Sequence, residues 1–287
     1  MKHWLAKASA MFLSATLLVS VLQTSETVQA KGQEANMVPS YEVKLLLDST
    51  QVLDASQLLT PAILSEFNLS SPKQANVEYF DTNNLDLDGS GWSVRFRKKE
   101  SKDNYELNYK KRYAIQNGDI GAALTLANSE GFDITDDNYE AEVDWGYGKQ
   151  TLSISLDKKV STSLNGALGL PSESVTRGLL LDKLPGKLKN WSSSNWGKTQ
   201  LQNARTYGPV LTSKYEGSWN GLEVDVEIWP IRDAAGTGIE PLVEISFKTA
   251  DYNTASTNRT ALINSLNDKG WLIPADGLKT QLMLSRY

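Results

Sequence analysis

Tyr79-Phe80-Asp81-Thr82, then Gly91-Trp92-Ser93-Val94-Arg95-Phe96-Arg97, then Tyr105-Glu106-Leu107-Asn108-Tyr109-Lys110-Lys111: on this stretch the fold turns. In an extended chain residues i and i+2 share a face. Arg95 and Arg97 therefore face one way and Val94 and Phe96 the other, while Glu106 and Lys110 line up against Leu107 and Tyr109. Both segments read as strands with one apolar face and one ionic face.

The same pattern recurs outward from there. Glu42 and Lys44 oppose Val43 and Leu45, and Glu140, Glu142 and Asp144 oppose Ala141, Val143 and Trp145. Glu223, Asp225 and Glu227 oppose Val224 and Val226, and Glu244, Ser246 and Lys248 oppose Val243, Ile245 and Phe247. Such alternation ordinarily means a sheet with one wet face. Two features favour another arrangement. The polar faces carry both signs at matched spacing, and arginine, whose planar fork binds phosphate bidentately, stands where lysine would suffice for solubility. A sheet closed with its charges inside would hold an anion on arginines and a cation on carboxylates. The pattern itself leaves open which face points inward.

Strands are expected at about 40–48, 75–81, 91–98, 104–112, 139–146, 150–156, 203–216, 222–232, 241–249 and 279–286. Helices are expected near 172–182, opened by Pro171 and Ser172, and over about 257–269, ended by Gly270. Residues 185–198 read as loop and 233–238 as a turn. Runs of antiparallel candidates with few helices point to an α+β protein or a barrel rather than to alternating βαβ units.

Residues 1–30 have the three parts of an export signal: Lys2 and Lys7, an apolar run from Met11 to Leu22, and small residues around Val28-Gln29-Ala30. The apolar run is short for a membrane span and is interrupted by Ser14, Thr16 and Ser20. The expected organisation is a signal over 1–30, a polar unstructured start over 31–38, and one domain over 39–287, exported to a periplasmic or extracellular place with no membrane attachment after signal removal. The whole chain carries 29 Lys+Arg and 34 Asp+Glu; removing Lys2, Lys7 and Glu26 leaves 27 against 33, a net charge of −6. An acidic chain has no general attraction to nucleic acid, so a polyanion needs a local basic cluster.

There is no cysteine, and the single histidine is His3, within the signal. Thiolate and imidazole chemistry are excluded from the remainder, including Ser-His-Asp catalysis and histidine-bound zinc. Carboxylates, lysines, arginines and tyrosines remain, with a hard cation such as Mg2+ or Mn2+ as the fitting metal.

These segments resemble the CYTH family, also called triphosphate tunnel metalloenzymes. Ser40-Tyr41-Glu42-Val43-Lys44 is similar to the family's opening E-x-E-x-K, with Ser40 in place of the first Glu. Tyr79-Phe80-Asp81-Thr82, Leu85, Leu87 and Val94-Arg95-Phe96-Arg97 resemble the second signature, and Glu106 with Lys110 the next strand. Arg205 and Lys214, then Asp225 and Glu227, then Val243-Glu244-Ile245-Ser246 resemble the late strands, with Ser246 in place of a second Glu. The resemblance spans about 40–287, with no motif placed over 115–200.

It implies an eight-stranded antiparallel β-barrel, or tunnel, with flanking helices. Glu42 and Lys44 would form the catalytic pair. Lys44, Arg95, Arg97, Lys110, Arg205, Lys214 and Lys248 would meet phosphate, and Glu42, Glu244, Asp225 and Glu227 would meet Mg2+ or Mn2+. The implied partner is a phosphate-bearing small molecule or polyphosphate. Three functions follow: a metal-dependent hydrolase of triphosphate, polyphosphate or an organic phosphate; a tunnel that binds an anion without turning it over; or a secreted β-rich interaction module with no small-molecule site.

Overall fold

The computed structural model describes residues 34–162 and 167–287; the expected signal lies outside them. The strands are β1 (Ser40–Leu47), β2 (Lys73–Asp81), β3 (Trp92–Lys99), β4 (Asn104–Ala114), β5 (Glu140–Trp145), β6 (Gln150–Ser161), β7 (Arg205–Trp219), β8 (Leu222–Arg232), β9 (Ile239–Thr249) and a two-residue β10 (Leu272–Ile273). The helices are α1 (Ser49–Val52), α2 (Pro61–Glu66), α3 (Asp86–Gly89), α4 (Ile120–Ser129), α5 (Glu173–Asp182), α6 (Gly186–Lys189), α7 (Trp196–Gln202), α8 (Tyr252–Asp268) and α9 (Lys279–Arg286).

The sheet runs β1-β5-β6-β4-β3-β2-β7-β8-β9 and closes on itself, because β9 pairs along β1 from Thr249 opposite Tyr41 to Val243 opposite Leu47. The barrel therefore has nine strands rather than the expected eight, with β10 added at the end of β1. It is antiparallel except for one pair: β5 lies parallel to β1, with Ser40 opposite Glu142 and Glu42 opposite Asp144.

The apolar faces point outward, under helices. Ala255, Leu262 and Leu266 of α8 cover Val43, Leu45, Ile245 and Phe247. Ala123 and Ala127 of α4, Leu180 of α5, Leu188 of α6 and Leu201 of α7 cover Val94, Phe96, Leu107, Tyr109 and Ile154. Every one of these side chains is buried, and burying one such residue is worth roughly 1.5–3 kcal/mol. The cores lie between barrel and helices, so the ionic faces are left to the inside.

Two close approaches fix the outer layer. A Cβ on Gly197 would stand 2.1 Å from the Leu188 carbonyl oxygen, and one on Gly217 would stand 2.2 Å from the Phe67 carbonyl oxygen. α6 and α7 therefore occupy part of 185–198, where a loop was expected. α8 begins earlier than expected, since Asp251 caps it by accepting a 2.7 Å bond from the Thr254 N–H. At the polar start, residues 34–37 are attached to the α4 region: Ile134 N–H donates to the Ala35 carbonyl and Asn36 bridges Asp133.

The main correction is 279–286, expected as a strand and found as helix α9. Its buried residues, Thr280, Met283 and Leu284, fall at the i, i+3, i+4 spacing of one helical face. Met283 and Leu284 pack on Val77, Tyr79, Trp229 and Ile231. Arg112 of β4 donates to Thr280 Oγ1 at 3.2 Å, and Lys279 reaches β8 and β9. α9 thus closes one end of the barrel. The open end is marked by Lys248, whose side chain is 60% exposed. Among the described residues, no helix is long and apolar enough to cross a membrane.

Candidate functional site

Strand periodicity builds the interior. On β3 the inward residues are Ser93, Arg95, Arg97 and Lys99, since Val94 and Phe96 belong to the outer core. On β4 they are Glu106, Asn108, Lys110 and Arg112. These two adjacent strands form a basic wall. β1, β5, β8 and β9 supply an acidic wall of Glu42, Glu142, Asp144, Asp225, Glu227 and Glu244.

Near the mouth, Glu42, Glu142 and Asp144 converge, each with a carboxylate oxygen within 4.8 Å of the others. Lys44 Nζ lies 2.7 Å from Glu42 and 2.5 Å from Asp144. Lys248 Nζ lies 2.5 Å from Glu142 and 3.5 Å from Glu42, and Lys110 is 3.8 Å from Glu142. Ser153 Oγ donates to Asp144 at 2.5 Å. Burial pushes Glu42 up, but Lys44 and Lys248 outweigh it and hold the carboxyl at about 2. Asp144 is likewise held far down by Lys44 and Lys110 against its burial. Glu142 goes the other way: burial and the neighbouring Glu42 charge raise it despite Lys110 and Lys44.

At the closed end, Lys279 Nζ binds Glu227, and lies 2.7 Å from Glu244 and 5.1 Å from the centre of the Trp229 ring. Burial and the Glu227 charge, against the pull of Lys279, leave the Glu244 carboxyl raised. Burial alone would raise Glu227 too, but Lys279 and the Trp229 indole N–H hold it well down.

On the basic wall, Arg97 donates from Nε and Nη2 to one Glu106 oxygen at 3.0 and 2.5 Å, with Lys99 3.1 Å from the other. Arg95 lies beside Tyr79; burial works against its charge, and Tyr79, Asp157 and Glu227 support it. Arg112 donates to Ser93 at 2.9 Å, and its Nε is buried with no partner. Burial lowers Lys110.

The sequence-derived residues thus separate. Glu42, Lys44, Arg95, Arg97, Lys110, Lys248, Glu227 and Glu244 share the interior. Asp225, also on the acidic wall, is paired with Lys214 at 2.8 Å. Arg205 is engaged elsewhere, donating to Asn83 Oδ1 at 2.9 Å and to the Tyr287 carbonyl at 3.0 Å, with its guanidinium over the Tyr207 ring. The four acids expected to share a metal do not form one cluster. Glu42 sits with Glu142 and Asp144, while Glu227 and Glu244 sit with Lys279. Glu142 and Asp144 were visible as one face of a strand but lay in the stretch without a motif. Arg112 continues the phase of Glu106, Asn108 and Lys110, and Lys279 was hidden by the strand reading of 279–286.

The residues fit a divalent ion in one place and not in the other. Glu42, Glu142 and Asp144 offer the oxygen set a hard cation takes; of the ammoniums there, Lys248, more than half exposed, is free to swing out, while Lys44 lies between Glu42 and Asp144. Glu227 and Glu244 are already joined by an ammonium on a packed helix. The outer clefts, one lined by Ser49, Asp54, Gln57 and Pro241 and another by Glu130, Lys187 and Trp191, contain none of these residues.

A closed sheet with converging ionised side chains is a charged tunnel, and this chain has the fold of the CYTH, or triphosphate tunnel, proteins. The solved structure of a Hippeastrum protein, described as an adenylyl cyclase that reveals a dominant triphosphatase activity, matches with a TM-score of 0.50 at 15% identity, over 85% of this chain and 94% of that one. A Bacillus halodurans protein described as an adenylate cyclase gives 0.45 at 13% identity, over 87% and 97%. The PH1819 protein of Pyrococcus horikoshii gives 0.40 at 12%, over 84% and 98%. No protein-family model matches the sequence, and no curated protein does.

Proposed function

We propose that the chain binds a linear phosphate-bearing anion, a triphosphate or short polyphosphate, inside the tunnel and hydrolyses it with Mg2+ or Mn2+. The observation that carries this reading is the basic wall of Arg95, Arg97, Lys99, Lys110 and Arg112 brought together with an acidic wall on the inner face of one closed barrel. A phosphate chain laid along β3 and β4 would replace Glu106 as the partner of Arg97 and Lys99, and one of its oxygens would accept from the unpartnered Arg112 Nε–H. Charge-assisted bonds from a guanidinium fork suit phosphate oxygens.

Glu42, Glu142 and Asp144 are the residues that would hold the metal, which when bound would neutralise charge that builds during phosphoryl transfer. Water attacks a phosphorus, the bridging P–O bond breaks, and the freed phosphate carries the charge away. Glu42, held ionised at about 2, orients water rather than removing its proton. Glu142, raised by burial and by the neighbouring Glu42 charge, is the more basic carboxylate of the trio. Lys44 keeps Asp144 and Glu42 apart as charges. The Tyr79 hydroxyl, beside Arg95 and held down by it against burial, stiffens the inner anion site.

Export belongs to the same proposal. Outside the cytoplasm the substrate would be polyphosphate or a phosphate ester, scavenged for phosphate, rather than a nucleoside triphosphate. One observation favours a second reading, anion binding without turnover: the interior acids are already ion-paired, and serine stands at positions 40 and 246. Phosphate release from tripolyphosphate, with and without Mg2+ or Mn2+, decides between them. Metal-dependent release supports the hydrolase. A raised melting temperature with tripolyphosphate but no release supports binding alone. Neither response would end both readings.

A further inference from the structure

The geometry points to Lys279 as a tethered cation that takes the place of a metal ion at Glu227 and Glu244. This inference concerns the occupancy of that acid pair and stands whatever anion the tunnel takes. Three observations converge on it.

First, the ammonium meets both carboxylates at once, with Glu244 at 2.7 Å and Glu227 closer still. Second, the site is mostly shielded from solvent: the side chains of Lys279, Glu227 and Glu244 are 18%, 25% and 5% exposed, and the Trp229 ring covers the nitrogen. Third, the lysine has nowhere to go. It is the first residue of α9, and the next turns of that helix are locked by Met283 and Leu284 against Val77, Tyr79, Trp229 and Ile231. Thr280, directly after it, is bonded to Arg112.

A divalent ion arriving at this pair would have to displace a buried ammonium that then has no acid to meet. A buried charge deprived of its partner is strongly destabilising. The contrast is with Lys248 at the mouth, which can leave Glu42 and Glu142 for water at little cost. The two acid groups thus differ in what can leave them: the inner pair meets a single buried ammonium, whereas the outer trio, besides Lys44 between Glu42 and Asp144, meets the exposed and exchangeable Lys248.

The test is Mn2+ stoichiometry, read by electron paramagnetic resonance and calorimetry on the full chain, with no substrate present. Lys279→Met removes the ammonium, keeps the length of the stem, and should bind one more Mn2+ per chain than the wild type. Lys279→Arg should bind the wild-type number. Glu244→Gln in an otherwise wild-type chain should leave Mn2+ stoichiometry unchanged, and this arm does not depend on Lys279→Met folding. Loss of a bound Mn2+ in Glu244→Gln, or equal stoichiometry in folded Lys279→Met and wild type, would overturn the inference. Failure of the hydrolase reading would show separately, as absent phosphate release with these stoichiometries intact.

Discussion

Replacing Lys44 by Met tests whether the mouth acids are held by an enclosed ion network. The ammonium lies 2.7 Å from Glu42 and 2.5 Å from Asp144, and the Glu42 side chain is 14% exposed. Glu42 is drawn from the ordinary 4.5 to about 2. At about 1.4 kcal/mol per tenfold in an equilibrium constant, that gap corresponds to about 3 kcal/mol. Lys248 contributes part of it and stays behind in the variant, but Asp144 also loses its nearest cation. Breaking a buried pair by removing one partner costs about 3–5 kcal/mol, so a loss of about 2–4 kcal/mol at pH 7 is expected. Because Glu42 titrates below its ordinary value, its contribution is full above about 4.5 and is lost as the pH falls toward about 2. The difference between wild type and variant should therefore shrink over that window. Urea unfolding followed by tryptophan fluorescence at pH 7 and at pH 3 measures both. A variant that loses less than about 0.5 kcal/mol at pH 7, the scale of an ordinary surface change, or whose deficit is as large at pH 3, would refute the reasoning.

Arg97→Ala should weaken tripolyphosphate binding by about tenfold or more, since a charge-assisted bond to phosphate is worth roughly 1.5–3 kcal/mol; Arg205→Ala, tied to Tyr287 and Asn83, should change it less than about twofold, and calorimetry compares the two. Phe96→Ala, fully buried between β3 and the covering helices, should cost about 3–5 kcal/mol in chemical denaturation. Gly217→Ala should lower stability by about 1–3 kcal/mol, because its Cβ would press on the Phe67 backbone; an unchanged midpoint would mean that β7 and α2 part easily.

Much of the barrel is written in two-residue alternation. Arg95 and Arg97 against Val94 and Phe96 fixed a two-faced strand, and the same rhythm marked β1, β5, β8 and β9. Which face turned inward was not in that rhythm. It depends on α4, α5, α7 and α8 supplying enough apolar surface to cover the outside, a property of distant segments. The parallel pairing of β5 with β1 was illegible for the same reason, since Glu142 and Asp144 announce a face but not a neighbour. α9 shows the limit of periodicity in short runs. Thr280, Leu282 and Leu284 suit a strand as well as Thr280, Met283 and Leu284 suit a helix, and only packing on Trp229 and Ile231 decides. With that element misread, Lys279 could not be placed, and Glu227 and Glu244 stood as open metal ligands. The signature residues were well located as a group, yet the partition of their acids into two sets follows from tertiary placement.

Because α9 stoppers the far end, anything that entered the barrel would have to leave by the way it came. A polymer could enter only by its tip, and no bead of it could pass out behind. Glu42, Glu142 and Asp144 stand nearer the entrance than Arg95 and Arg112. On the proposed hydrolase reading, a bond cut beside the three acids would free the outward fragment first, while the innermost unit would stay gripped until the path is clear. Turnover in such a vessel would be paced by emptying, and the residues at its floor would set how long the last piece lingers.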